Sequence, residues 1–249
     1  MSDHRIALRL DAVTKGWSGR PVLRGIDLEV AAGEYFGLVG VNGAGKTTLI
    51  RLLLDFARPD AGGIRIFGRE QTDHRARARL CYLPERFTPP HFMTGREFLR
   101  YMASLHGLTF DRAAVADMFR RLDLDPEVFR RPVRAFSKGM AQKLGLAACL
   151  LSGRDLLVLD EPMSGLDPRA RALLKEDLLN RRGQGQTLFF TTHLLHDVEA
   201  LCTRLAILHQ GRICFVGTPD ECKAGYGTDD LEQAYLRAIE SVPADATVA

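Results

Sequence analysis

The segment GVNGAGKTT, residues 40–48, gathers glycines, a lysine and two threonines in an order that suits phosphate chemistry. Gly40, Gly43 and Gly45 let backbone N–H groups curl around phosphate oxygens with no Cβ in the way. Lys46 can reach the β- and γ-phosphates of a nucleotide, and the Thr47 hydroxyl can ligate Mg2+. Asn42, Ala44 and Thr48 complete the stretch that would line the phosphates. Further along, LLVLDEP (156–162) is an apolar run that delivers Asp160 to its end, with Glu161 one residue beyond. An aspartate so placed can hold Mg2+ through water, and the adjacent glutamate can activate a water for in-line attack on a γ-phosphate. TTH (191–193) ends a third apolar run, from which His193 can donate to the same phosphate. His196 and Glu199 follow, but their spacing is not that of a helical zinc site, and His196 reads as a solvated helix residue.

A second anion site is written at FSKGMAQKLGLAACLL, residues 136–151. Ser137 and Gly139 stand at the mouth of a segment that is almost wholly apolar from Leu144 onward. A helix starting there aims its free N–H groups and a serine hydroxyl outward, which is how proteins bind anions.

These residues need strands that end at one edge and helices that begin there. RIALRLDAV (5–13) alternates like an edge strand, with IDLEV (26–30) as its partner across a glycine-containing turn. YFGLV (35–39) is the continuous apolar run of a strand buried on both faces, and a helix follows the glycine loop over 47–56. A turn at 59–63 and strands at 64–67 and 81–84 come next. Phe98, Leu99, Met102 and Leu105, then Ala113 to Leu122, have helical spacing and read as helices inserted into an α/β frame. The frame resumes with strand 156–160, helix 168–181, strand 187–192, a helix through LLHDVEAL and strand 204–209. HQGR then turns into ICFVG as a hairpin, a last helix occupies 229–240, and residues 241–249 read as a flexible tail.

The bulk numbers agree with a folded α/β protein. The 249 residues are 46% hydrophobic and 26% charged, and the net charge of +3 does not by itself call for nucleic acid. The arginines at 75, 77, 79, 130, 131 and 134 read as solvated faces. The five cysteines are odd in number and lack a Cys-x-x-Cys, which speaks against a disulfide framework and for a reducing compartment. MSDHRIALRL lacks the apolar core of a signal peptide, and no run approaches the roughly 18 apolar residues of a membrane span. A cytoplasmic protein that reaches a membrane only through a partner is the expectation.

In order and spacing, these segments resemble the ATP-binding subunit of an ABC transporter over about residues 5–220. The loop 40–48 resembles the Walker A motif, 156–161 the Walker B strand with its glutamate, and SGLD (164–167) the D-loop. His193 matches the H-loop and FSKGM (136–140) the family signature. The resemblance implies an α/β P-loop NTPase core of RecA type, with an N-terminal antiparallel β subdomain and an inserted helical subdomain at 86–152, all in one domain over 1–249. It also interprets residues that say little alone. Trp17 takes the place of the aromatic that stacks on adenine, Glu85 that of the Q-loop glutamine near Mg2+ and the γ-phosphate, and Asp167 closes the D-loop. A carboxylate at 85 can accept from a metal-bound water but cannot donate as an amide does.

Two phosphate sites in one chain make sense in such a family, because two subunits pair head to tail around two shared nucleotides. The resemblance therefore implies ATP and Mg2+ as cofactors and a second ATPase subunit, a homodimer being expected. It also implies a polytopic permease, contacted through Glu85, Phe87, Phe92 and Met93, and a position on the cytoplasmic face of the inner membrane. SKGM with YLPE resembles the subgroup that serves ABC-2-type permeases, often exporters; Lys138, where the common signature has glycine, could touch phosphate or face water. The alternatives are a non-transport ABC ATPase acting on DNA or ribosomes, and a GTPase or small-molecule kinase. Residues 49–155 lack the sustained heptads of a repair ATPase, translation-type members carry two ATPase units per chain, and no Asn-Lys-x-Asp reads guanine.

Overall fold

Alternation along the first thirty residues builds a long hairpin, β1 (Ile6–Trp17) and β2 (Arg20–Ala31), closed by Ser18 and Gly19 at positive φ. The computed structural model describes residues 6–241, so the tail expected at 241–249 lies, beyond Ser241, outside the described residues. Next come β3 (Tyr35–Val39), α1 (Lys46–Leu53), β4 (Ala61–Ile66), β5 (Arg69–Glu70), α2 (His74–Arg77) and β6 (Leu80–Leu83). The middle of the chain is helical: α3 (Gly95–Leu105), α4 (Arg112–Arg121) and α5 (Lys138–Leu150), with short 3-10 turns between the last two. Then follow β7 (Leu156–Asp160), α6 (Pro168–Arg181), β8 (Thr187–Thr192), α7 (Leu195–Leu201), β9 (Arg204–His209), β10 (Arg212–Gly217), α8 (Pro219–Gly225) and α9 (Leu231–Glu240).

Among the described residues, 6–78 and 191–241 form one compact unit, and 79–190 form another. In the first, an antiparallel sheet has strand order β2-β1-β4-β5. The strand expected at an edge is therefore interior: β1 pairs with β2 on one side and with β4, Leu8 opposite Ile66, on the other. Alternation of apolar residues reports that one face is buried and is silent about the number of neighbours. A bulge at Ala12, where φ is +46°, interrupts both ladders, and its amide donates to Asp27 Oδ1 at 2.8 Å. Beside this sheet, β3 runs parallel to β9, and β9 pairs antiparallel with β10 through the expected hairpin.

In the second unit β6 runs parallel to β7, with every residue of β7 buried. The helix expected within 136–151 is α5, and from Gln142 to Leu150 it is buried without interruption. Leu144 and Leu146 are each removed completely from water, worth on the order of 2 kcal/mol apiece. The polar heads it takes inside are matched: Lys143 Nζ donates to Asp123 O at 2.8 Å, and Gln142 Nε2 donates to Pro162 O at 3.2 Å. A four-residue α2 and the seven-residue α8 escaped the sequence reading. The second carries a visible signal, Pro219 in its first turn and a Thr218–Glu221 capping box.

Candidate active site

The glycine loop lies in the first unit, between β3 and α1. Gly45 caps α1 at φ 117°, in the left-handed region, and a Cβ there would sit 2.7 Å from Leu23 Cδ2. The loop folds on itself, Ala44 N donating to Val41 O at 3.1 Å. Lys46 is buried at 7% exposure, and its ammonium donates to Gly40 O at 2.5 Å and Val41 O at 3.4 Å. The charge is thus held across the loop, while Asn42, Gly43 and Thr47 are exposed and Thr48 is half-buried.

The loop is braced from a direction the sequence did not reveal. Gly211, in the β9–β10 turn, donates its amide to Ala44 O at 3.2 Å and accepts from Arg24 N at 2.8 Å. Its φ is +77°, and a Cβ would fall 2.2 Å from Val22 O, a backbone atom that cannot step aside. Gly211→Ala should therefore cost more than about 1 kcal/mol and lower Tm by at least roughly 2 to 4 °C, as read by circular dichroism. An unchanged Tm would show that the brace is not needed.

Trp17 ends β1 at 42% exposure, with the Lys15 ammonium 4.9 Å from its ring centre. His193 lies exposed just past β8. His196, expected to be solvated, is exposed yet sets Nε2 3.0 Å from Oδ1 of the fully buried Asp197.

The second unit carries the carboxylates. Asp160 ends β7 at 3% exposure, and Glu161 follows at 9%. Glu161 has φ +48°, a left-handed conformation that is rare for a residue with a Cβ and costs about 1 kcal/mol. The twist turns the chain sharply at the strand end, and Ser164 N donates back to Glu161 O at 3.0 Å. Such strain collects at functional sites. Asp160 offers carboxylate oxygens of the kind that suits Mg2+.

Ser137 caps α5, its Oγ accepting from Met140 N at 3.2 Å, so its hydroxyl hydrogen remains to be offered outward. Gly139 is pressed against the SGLD turn, where a Cβ would meet Gly165 O at 2.9 Å. Lys138 is exposed, as one of its two expected placements requires. Its stem lies along Gly165 and its ammonium reaches Ser164 Oγ at 3.5 Å. Asp167 caps α6, and the Ala170 amide it accepts from, with the Lys143 charge nearby, holds its carboxyl below the usual range. Glu85 is exposed in the bend after β6. Of the apolar residues expected at a permease, Phe92 is 83% exposed, but Phe87 packs its ring 5.6 Å from that of Phe98 and so serves the core.

Residues 23–164 match the family model described as ABC transporter. The chain belongs to the ABC transporter family. It is the family's ATP-binding component, an ABC-type ATPase domain. A solved structure described as the ATP-binding subunit of an ABC transporter superposes with a TM-score of 0.83 at 30% identity, covering 93% of this chain and 99% of that one. An ABC transporter ATP-binding protein of Nostoc is 38% identical, over 85% of this chain and 65% of its own length. A Nod factor export ATP-binding protein of Paraburkholderia xenovorans is also 38% identical, over 91% of this chain and 76% of that protein. The chain thus spans slightly under two thirds of the Nostoc relative. The ABC match takes in the loop, the α5 N-terminus and both carboxylates; Trp17, Asp167 and His193 fall outside it.

Proposed function

We propose that this ABC ATPase is the motor subunit of an exporter, hydrolysing ATP between two copies of itself to move a separate membrane permease. The observation that carries the reading is the way α5 is set. From Gln142 onward the helix is committed to the core, while Ser137 at its start is exposed and its hydroxyl accepts from Met140 N, leaving the hydroxyl proton to donate. Such an end suits a phosphate held by another chain.

The loop 40–48 then wraps the phosphates of ATP, Lys46 trades its carbonyl partners for β- and γ-oxygens, and Trp17 stacks on adenine. Thr47 and Asp160 would hold Mg2+, with the Glu85 carboxylate nearby, and the bound ion would supply charge to neutralise the phosphates. Glu161 takes the proton of the attacking water and His193 donates to the γ-phosphate. Ser137 and Gly139 of the second copy close the site, and Asp167 positions the D-loop. Export is favoured by the Paraburkholderia relative, a Nod factor export ATP-binding protein. No helix among the described residues is long and apolar enough to cross a membrane, so the permease is a separate partner in this reading, met at the cytoplasmic face.

Affinity purification of the tagged chain from detergent-solubilised membranes of its own host tests this. A polytopic membrane protein should co-purify in stoichiometric amount. Recovery with nucleic acid or ribosomes instead would move the protein to the non-transport branch of the family.

A further inference from the structure

One buried nucleophile takes no part in nucleotide chemistry. Cys81, in β6, is 4% exposed, and its Sγ lies 3.3 Å from the Sγ of Cys149 near the end of α5. The same sulfur is 3.9 Å from Nε2 of His106, the residue that closes α3. Arg154 Nε donates to His106 Nδ1 at 3.0 Å, and Arg154 Nη2 donates to the His106 carbonyl at 2.8 Å. Arginine has only donors to give, so Nδ1 is the acceptor of the ring. The neutral imidazole therefore carries its proton on Nε2, facing the Cys81 sulfur.

Two groups thus meet one sulfur: the Cys149 thiol, hydrogen-bonded to it, and the His106 N–H. Donors of this kind favour thiolate over thiol. The Cys81 thiol is accordingly pulled well below its ordinary range, foremost by the hydrogen bond from Cys149 and against the effect of burial. Cys149 moves the other way, through its bond to Cys81 and through burial, while burial alone pushes Cys214 and Cys222 up. A cavity of about 80 Å³, lined in part by His106, Ala148, Leu151 and Ser152, reaches the histidine whose Nε2 faces the sulfur. It has room for a molecule the size of water or hydrogen peroxide.

We infer that Cys81 and Cys149 form a peroxide-reactive pair that closes to a reversible disulfide between β6 and α5. The Cys81 thiolate attacks one oxygen of hydrogen peroxide and the O–O bond breaks. The hydroxide that leaves takes up the proton Cys81 had released, giving water and a Cys81 sulfenic acid. The Cys149 sulfur then attacks Cys81 Sγ, the S–O bond breaks, and the departing hydroxide carries off the Cys149 proton as a second water. Two thiols lose two electrons and two protons, and one peroxide becomes two waters. The bond would join the strand leading to Glu85 to the helix that begins at Ser137.

The test uses the full-length reduced protein, treated with a few equivalents of hydrogen peroxide, alkylated with N-ethylmaleimide and digested with trypsin. The expected product is the peptide LCYLPER (80–86) linked to LGLAACLLSGR (144–154), two hydrogens lighter than the pair and separated again by a phosphine reductant. In Cys149→Ala protein, dimedone should instead label Cys81. Wild-type protein that keeps both peptides as maleimide adducts while Cys214, the least buried thiol, is oxidised would overturn the inference. That comparison needs no variant to fold. Absence of dimedone label in a folded Cys149→Ala protein would overturn it equally.

Discussion

Glu161→Gln protein is expected to bind ATP as tightly as the wild type, lose turnover by about 10²- to 10⁴-fold, and accumulate as an ATP-bound dimer. The amide keeps the shape of the carboxylate and meets the same backbone demand at φ +48°, so the fold has no reason to respond. What disappears is an acceptor able to take a proton from water. Phosphate release measures the first effect. Light scattering with MgATP measures the second, because a dimer that cannot hydrolyse its nucleotide has lost its means of opening. Unchanged turnover would leave Glu161 with only the job of closing the turn after β7.

The second large effect is complementation. Lys46→Ala protein should fail to hydrolyse ATP because the charge that faces the β- and γ-phosphates is gone. Ser137→Arg protein should fail because a bulky cation stands at the start of α5. An equal mixture of the two should nevertheless recover activity. Half the dimers are mixed, and in each of these one of the two sites combines an intact loop with an intact signature. Turnover of about a quarter of the wild-type value follows if subunits exchange freely and sites act independently. Recovery to no more than the background of the separate proteins would show that loop and signature must be intact in the same chain, which would end the shared-site reading.

The parts of this site that could be read in advance are those where one residue type carries the chemistry by itself. Glycines before Lys46–Thr47, and a carboxylate pair after LLVLD, declare themselves because few other demands produce them. The strands around them are legible for the same reason: YFGLV and LLVL are unbroken runs whose every residue is buried. Pairing was less legible. β1 was misplaced at an edge because its alternation is the same with one neighbour or two. Lys138 was unreadable because its partner, Ser164, is 26 residues away and is reached by a flexible stem rather than by periodicity. The Cys81–Cys149 contact spans 68 residues, and neither cysteine sits in a motif. Gly211 belonged to a recognised hairpin, yet nothing in HQGR announces that its amide serves a loop far upstream.

Glu161 has a bearing on how this protein would answer selection for heat tolerance. Asparagine enters the left-handed region far more readily than glutamate, so Glu161→Asn stands to relieve a good part of the strain at this turn. A screen that rewards survival at high temperature, and nothing else, would be drawn to this position early. The variants it collected would be sturdier and, with Glu161 as the base proposed above, inert. Thermal robustness and turnover pull against each other at one peptide unit, and engineering that aims for both has to seek its gains elsewhere.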